Sequence, residues 1–308
     1  MDLVLDLAQL FINGIAVGSI IALAAVGLTL TYGILRLPNF AHGDFMTTGA
    51  FLTYLFNTQV LNHVVFGVDW LDSLFAQANV WISIILATIV TIGGFLVCEF
   101  LIWAKMRDRR ATSTTLIIIS IGLALFIRNG IIFIWGGGNK SYNLPVAKAA
   151  EILGVVKIPY YRLIVIGLAI LAVVGLHCLL QYTKIGKAMR AVADDIDLAS
   201  VSGIDVSRVV LWTWVLAGGL TALSGGMYGL ITAVRPNMGW FLILPMFASV
   251  VLGGIGNPYG AIAGAMVIGI AQEVSTYWLP TEYKLAIALL AMVLVLLVRP
   301  QGLFRGTI

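Results

Sequence analysis

Charged side chains are scarce in this sequence. The 308 residues carry 18 Lys and Arg and 14 Asp and Glu, which is 10% of the chain against about 25% in soluble domains. So few charges cannot cover the surface of a soluble protein this long, which excludes a soluble enzyme and a disordered tail. The formal net charge of +4 is no footprint for nucleic acid, because membrane proteins gather basic residues in their cytoplasmic loops. Cysteine is nearly absent: Cys98 and Cys178 each lie in an apolar run and read as buried thiols. The three histidines, His42, His63 and His177, are scattered without metal-ligand spacing. No G-x-x-x-x-G-K-[S/T] phosphate loop occurs, and no nucleophile stands beside a base. The chain is therefore expected to bind no cofactor or metal and to change no bond. A basic n-region is also missing; Asp2 and Asp6 precede a first apolar run too long for a signal peptide.

What the sequence has is apolar length. Apolar types make up 60% of it and the mean hydropathy is +1.02, so the bilayer must be the solvent for most of the chain. Charge-free runs cover residues 7–35, 45–68, 73–98, 111–127, 163–183, 209–234, 236–272 and 285–298. Six hold one span each, the fourth by continuing past Arg128 to Trp135. The last is short and needs Tyr283 and Lys284 as interfacial anchors. Run 236–272 would make a helix of roughly 55 Å, too long for one crossing. It also contains Pro245 and then Gly253-Gly254-Ile255-Gly256-Asn257-Pro258, a helix-breaking turn. Two passes, or a half-pass and a full pass, meet there. The expectation is an all-α polytopic membrane protein with eight or nine transmembrane segments in one domain, 1–308. With nine crossings and the N-terminus outside, 11 basic residues face inward and 6 outward, the outer set including Lys148 and the inner set Arg305.

The two ends of the chain echo each other. Tyr32-Gly33 leads to Arg36-Leu37-Pro38-Asn39, and Tyr228-Gly229 leads to Arg235-Pro236-Asn237. Proline bars the preceding residue from the helix, so these are either broken or re-entrant segments in two related halves or two ordinary loop-starting prolines at the interface.

The first echo opens Asn39-Phe40-Ala41-His42-Gly43-Asp44-Phe45-Met46, which puts an amide, an imidazole and a carboxylate at membrane depth. Such groups are costly unless paired or wet. Asn39, His42 and Asp44, with Pro236 and Asn237, are candidates for a translocation pathway or gate; alternatively Asn39 or Asp44 caps the next helix. Among the other intramembrane charges, Glu99 can snorkel, and Arg128 could pair with Glu273. The longest inner loop, about 184–208, contains helix-forming sequence over 188–202 stopped by Gly203. Its apolar residues suit a docking element for a cytosolic partner or a plain interfacial helix.

At these residues the chain resembles the permease subunits of bacterial ABC importers for branched-chain and other hydrophobic amino acids, of the shorter, LivH type. The resemblance runs over essentially the whole chain. It is carried by Asn39-Phe40-Ala41-His42-Gly43-Asp44, by 186–204, by Val251-Leu252-Gly253-Gly254-Ile255-Gly256 with Gly260-Ala261, and by Arg299-Pro300-Gln301-Gly302-Leu303-Phe304. It implies a multi-pass protein of the bacterial inner membrane, paired with a second, longer permease. It also implies two cytosolic ATPases that use ATP and Mg, and a periplasmic binding protein that supplies the amino acid. Residues 191–203 would be the ATPase-contacting helix, with Arg190, Ala193, Asp194, Asp195, Ala199 and Gly203 at the contact. The chain departs from the pattern in carrying Asp194-Asp195 where Glu-Asp is common and Asp44 where Glu is frequent. Relatives that carry urea or short amides stay open, as do a stand-alone channel and an ion-coupled transporter.

Overall fold

A computed structural model of the chain describes residues 2–63, 69–144, 149–152, 156–299 and 301–304. Lys148, Pro300 and Arg305 lie outside the described residues. In chain order the helices are α1 (Asp2–Leu35), α2 (His42–Leu55), α3 (Asp69–Cys98), α4 (Ala104–Asp108), α5 (Ser113–Trp135), α6 (Tyr160–Tyr182), α7 (Lys184–Asp194), α8 (Ile196–Val201), α9 (Val206–Ile231), α10 (Met238–Gly253), α11 (Pro258–Val274) and α12 (Lys284–Val298). Between α5 and α6 lies one antiparallel hairpin, β1 (Ala149–Ile152) with β2 (Val156–Pro159), in a register pairing Ala149 with Pro159. No strand was expected from the sequence.

Among the described residues six helical stretches are long and apolar enough to cross a membrane: Leu5–Leu35, Ala78–Asp108, Ser113–Trp135, Tyr160–Tyr182, Val206–Ile231 and Thr281–Val298. The other apolar runs form the shorter helices α2, α10 and α11, of 14, 16 and 17 residues. Helices prevail because lipid offers backbone N–H and C=O groups no partner outside the chain. Run 236–272 divides at its glycine turn. Gly254 and Gly256 have φ of +107° and +85°, angles few side chains tolerate. The Asn257 side chain then accepts the N–H groups of Tyr259 and Gly260 at 3.0 and 3.1 Å, and Pro258 opens α11.

The centre is α1, packed chiefly against α11, α9, α10 and α6. Alanine and glycine permit this closeness: a side chain at Gly14 or Gly18 would press on the α11 backbone at Ile270 and Ala265. Around that centre α2, α3 and α10 pack on α9 or on each other, while α5, α6 and α12 show apolar faces outward. Cys98 is half-buried but Cys178 is exposed; it sits on the outward face of α6, which apolar neighbours in sequence cannot distinguish from an inward one.

The two ends differ in character. At one end the α1 C-terminus, with Arg36, lies beside Val192 to Asp197, and Leu303 donates its N–H to Leu252 at the glycine turn. At the other, Lys140 pairs with Val234 in an isolated antiparallel bridge, and the Asn143 N–H reaches Asn57 Oδ1 at 2.7 Å. Tyr142, between them, sinks its ring against Gly229 and donates to the Ala50 carbonyl at 3.2 Å; burial raises its phenol pKa above the usual range.

Candidate functional site

The echoed sequence produces one arrangement twice. A long helix ends (α1 at Leu35, α9 at Ile231), a non-helical stretch through Pro-Asn follows, and a short helix begins (α2 at His42, α10 at Met238). The start of α2 lies beside Ala24 of α1, eleven residues before the α1 end, which is about 16 Å back along the axis. Residues 36–41 therefore turn back into the helical layer. α2 and α10 meet at their first turns. A Cβ on Gly43 would overlap the Gly239 carbonyl, and a Cβ on Gly239 would overlap the Gly43 carbonyl and Thr47 Oγ1. The Gly239 N–H donates to Thr47 Oγ1 at 3.0 Å.

Around this crossing the candidate residues divide into an inner and an outer group. His42 has no exposed surface. Its Nε2 lies 2.9 Å from the Ala24 carbonyl and 2.8 Å from Thr221 Oγ1. A carbonyl only accepts, so the proton sits on Nε2. Thr221 accepts part of that bond and sends its own proton to the Ala217 carbonyl at 2.6 Å. Asn39 is equally buried; its Oδ1 accepts the Ala41 N–H at 3.0 Å. Asn39 Nδ2 and His42 Nδ1 have no partner among the described residues. Neither Asn39 nor Asp44 caps α2: the capping position is Ala41, with no side-chain bond.

Asp44 instead pairs with Arg128 of α5. Its Oδ1 accepts from Nε at 3.0 Å and its Oδ2 from NH2 at 2.9 Å, a bidentate ion pair between two helices. This corrects the expected Arg128–Glu273 pair: Glu273 pairs with Lys284 at the start of α12. Sequence gives the depth of a charge along its helix but not the helix it faces. Glu99 does not snorkel either; its buried carboxylate is bound by Arg107 two turns on.

The outer group lies on α10. Pro236 is buried, but Asn237, Trp240, Phe241 and Leu244 are exposed at spacings of 3, 4 and 7 residues, one stripe of a helix otherwise buried. The Arg128 guanidinium lies 4.7 Å from the Trp240 ring centre, within cation–π range. Trp240, Phe241 and Thr221 carry no signal in the sequence that singles them out, and Asp44 and Arg128 stand out there singly but not as a pair. Only the matching Pro-Asn steps hinted that α10 mattered.

The loop at 184–208 is two helices rather than one. Asp195 is extended (φ −153°) and its Oδ1 accepts the N–H groups of Asp197 and Leu198, each at 2.9 Å. It ends α7 after Asp194 and starts α8, since an Asp able to cap competes with a continuing helix. Gly203 follows α8 with φ +85°. Arg190 and Ala193 line a cavity between α1, α6, α7 and the Gly256–Pro258 turn. Ala199 is buried against its own chain, whereas Ile196, Leu198 and Val201 are 45%, 63% and 82% exposed. The outward face is thus a different set of side chains from the one containing Ala199.

Among the described residues, six long apolar helices, three shorter ones and a buried ion pair between helices fit a multi-pass membrane protein with interrupted helices. The sequence profile of the family described as "Branched-chain amino acid transport system / permease component" matches residues 10–296, and the chain belongs to that family. It is 29% identical over 311 residues to the high-affinity branched-chain amino acid transport system permease protein LivH of Escherichia coli (strain K12), covering 96% of this chain and 94% of that one. It is 28% identical over 302 residues to the corresponding protein BraD of Pseudomonas aeruginosa, with the same coverage. A probable branched-chain amino acid transport permease protein LivH of Methanocaldococcus jannaschii is 28% identical over 307 residues, 94% of this chain and 90% of its own. No solved structure matches the chain.

Proposed function

We propose that the chain is the shorter permease subunit of an ATP-binding-cassette importer for branched-chain or other hydrophobic amino acids in the bacterial inner membrane. The observation that most supports this reading is the near end-to-end match to permeases, because a transport role then attaches to the whole chain rather than to a shared fragment. In this reading the substrate comes from a periplasmic binding protein. The exposed stripe of α10 faces a pathway shared with a second, longer permease. Asn237 lines that pathway, and Pro236, Asn39 and His42 hold the helix crossing behind it.

ATP and Mg are used by two cytosolic ATPases, and this chain binds neither. Loop 184–208 couples them to the pathway: α8 presents Ile196, Leu198 and Val201 to an ATPase groove. Force on α8 passes through Asp195 into the groove formed by 33–36 and 192–197. From there it reaches the α1 end, residues 36–41 and the start of α2.

The test is uptake into proteoliposomes holding this chain, its partner permease, both ATPases and the binding protein. ATP-dependent accumulation of labelled L-leucine or L-valine is expected. Accumulation of labelled urea in place of either, or uptake without ATP, refutes the reading.

A further inference from the structure

We propose that Asp44 and Arg128 form a subsite for the charged backbone of a zwitterionic amino acid, with the Trp240 indole as its cover; the inference rests on the importer reading above. Asp44 and Arg128 stand on different helices, α2 and α5, and hold each other by two bonds. Access is one-sided. The Asp44 side chain is 1% exposed and that of Arg128 12%, while Trp240, stacked over the guanidinium, is 43% exposed. A solute on the α10 stripe therefore meets the indole first, then the guanidinium, then the carboxylate.

The chemistry of the pair matches the chemistry of the solute. An amino acid crossing a membrane carries a carboxylate and an ammonium group, and each is costly to bury without a partner. A guanidinium offers its fork to one carboxylate as well as to another. Exchange of the Asp44 carboxylate for that of the solute frees Asp44 to take the ammonium group. One internal pair becomes two pairs with the solute, and the site stays neutral throughout. Phe241, next to Trp240, and Leu244, one turn further along the same stripe, give an aliphatic side chain an apolar surface. Packing does not need the pair, since a buried ion pair is commonly no more stabilising than apolar residues of the same size, whereas charges inside a membrane usually serve transport.

The experiment uses the complex of this chain with its partner permease and ATPases in nanodiscs, without binding protein, and tritiated L-leucine as probe. Leucinol, which lacks the carboxylate, and 4-methylpentanoate, which lacks the ammonium group, are expected to compete roughly tenfold or more weakly than L-leucine. Equal competition by either overturns the proposal. The double variant Asp44→Asn/Arg128→Gln removes both charges without leaving one unpaired, and is expected to assemble and to lose roughly tenfold or more in leucine affinity. Wild-type leucine binding by that variant makes the pair a structural strut and overturns the proposal. So does a change confined to the retention of anionic lipid. Should the double variant not assemble, Trp240→Ala alters an exposed ring and decides instead: weakened leucine binding is expected, and unchanged affinity overturns the inference. A wild-type complex that imports leucine beside a double variant that does so equally well refutes the subsite alone. A wild-type complex that moves urea and not leucine refutes the importer reading and the subsite with it.

Discussion

Replacing Gly239 by alanine puts one methyl group where the α2 backbone already is. The new carbon overlaps the carbonyl carbon and oxygen of Gly43 and the Thr47 hydroxyl. Neither carbonyl atom can rotate away as a side chain would, and the start of α2 is held from behind by the His42 bonds to α1 and α9. The two short helices must part by roughly 1.5 Å, and overpacking costs about 1–3 kcal/mol, here at the upper end because backbone meets backbone. Parting also lengthens the 3.0 Å bond from the Gly239 N–H to Thr47, which removes about 1 kcal/mol more. The expected loss is about 4 kcal/mol. Gly167 of α6 is the control, since a methyl group there meets nothing within 4 Å. Alanine at Gly167 should stabilise by about 0.5–1 kcal/mol, from helix propensity alone. Thermal unfolding of the two detergent-solubilised variants beside wild type, with uptake in proteoliposomes, measures both. A melting temperature several degrees lower is expected for Gly239→Ala, and an unchanged or higher one for Gly167→Ala. If Gly239→Ala melts and transports as Gly167→Ala does, the two helices are not in backbone contact and the site described here is wrong.

Leu198→Glu and Val201→Asp on α8 should leave the chain in the membrane at normal level but reduce copurification of the ATPases, each removing about 2 kcal/mol of apolar burial at the contact. Ala199→Arg, by contrast, forces a charge into the chain's own interior and should lower the amount of folded chain itself; quantitative blotting of membranes and pull-downs separates the two outcomes. His42→Ala removes the link between α1, α2 and α9 and should cost about 1–3 kcal/mol, through the lost imidazole bonds and the cavity left where a fully buried ring stood, with uptake reduced. Normal uptake and unchanged melting would show that the imidazole does not hold the crossing.

Most of the helical layout was legible because its cause is local. A run of apolar residues in lipid must be helical, so the ends of α5 and α6 and the division of 236–272 at its glycine turn follow from the sequence of those segments. The hairpin of β1 and β2 was not legible, because eight short residues outside the apolar runs carry no comparable signal. The helical loop was legible in extent but not in its break. Asp195 is acceptable within a helix and good at the head of one, and only its bonds to Asp197 and Leu198 decide between the two.

The sequence alone determined that the protein lives in the bilayer and that its helices are interrupted at Pro38-Asn39 and Pro236-Asn237. Each of these depends on residues adjacent in the chain and on the energy of moving them from water to lipid. Tertiary structure decided which charge met which, that His42 faces α1 and α9, that Ala199 turns inward, and that α2 and α10 touch at Gly43 and Gly239. Those outcomes depend on the rotation of each helix about its axis and on the neighbour it meets. In a chain apolar on nearly every face, no hydrophobic stripe fixes that rotation, and packing between helices distant in sequence does.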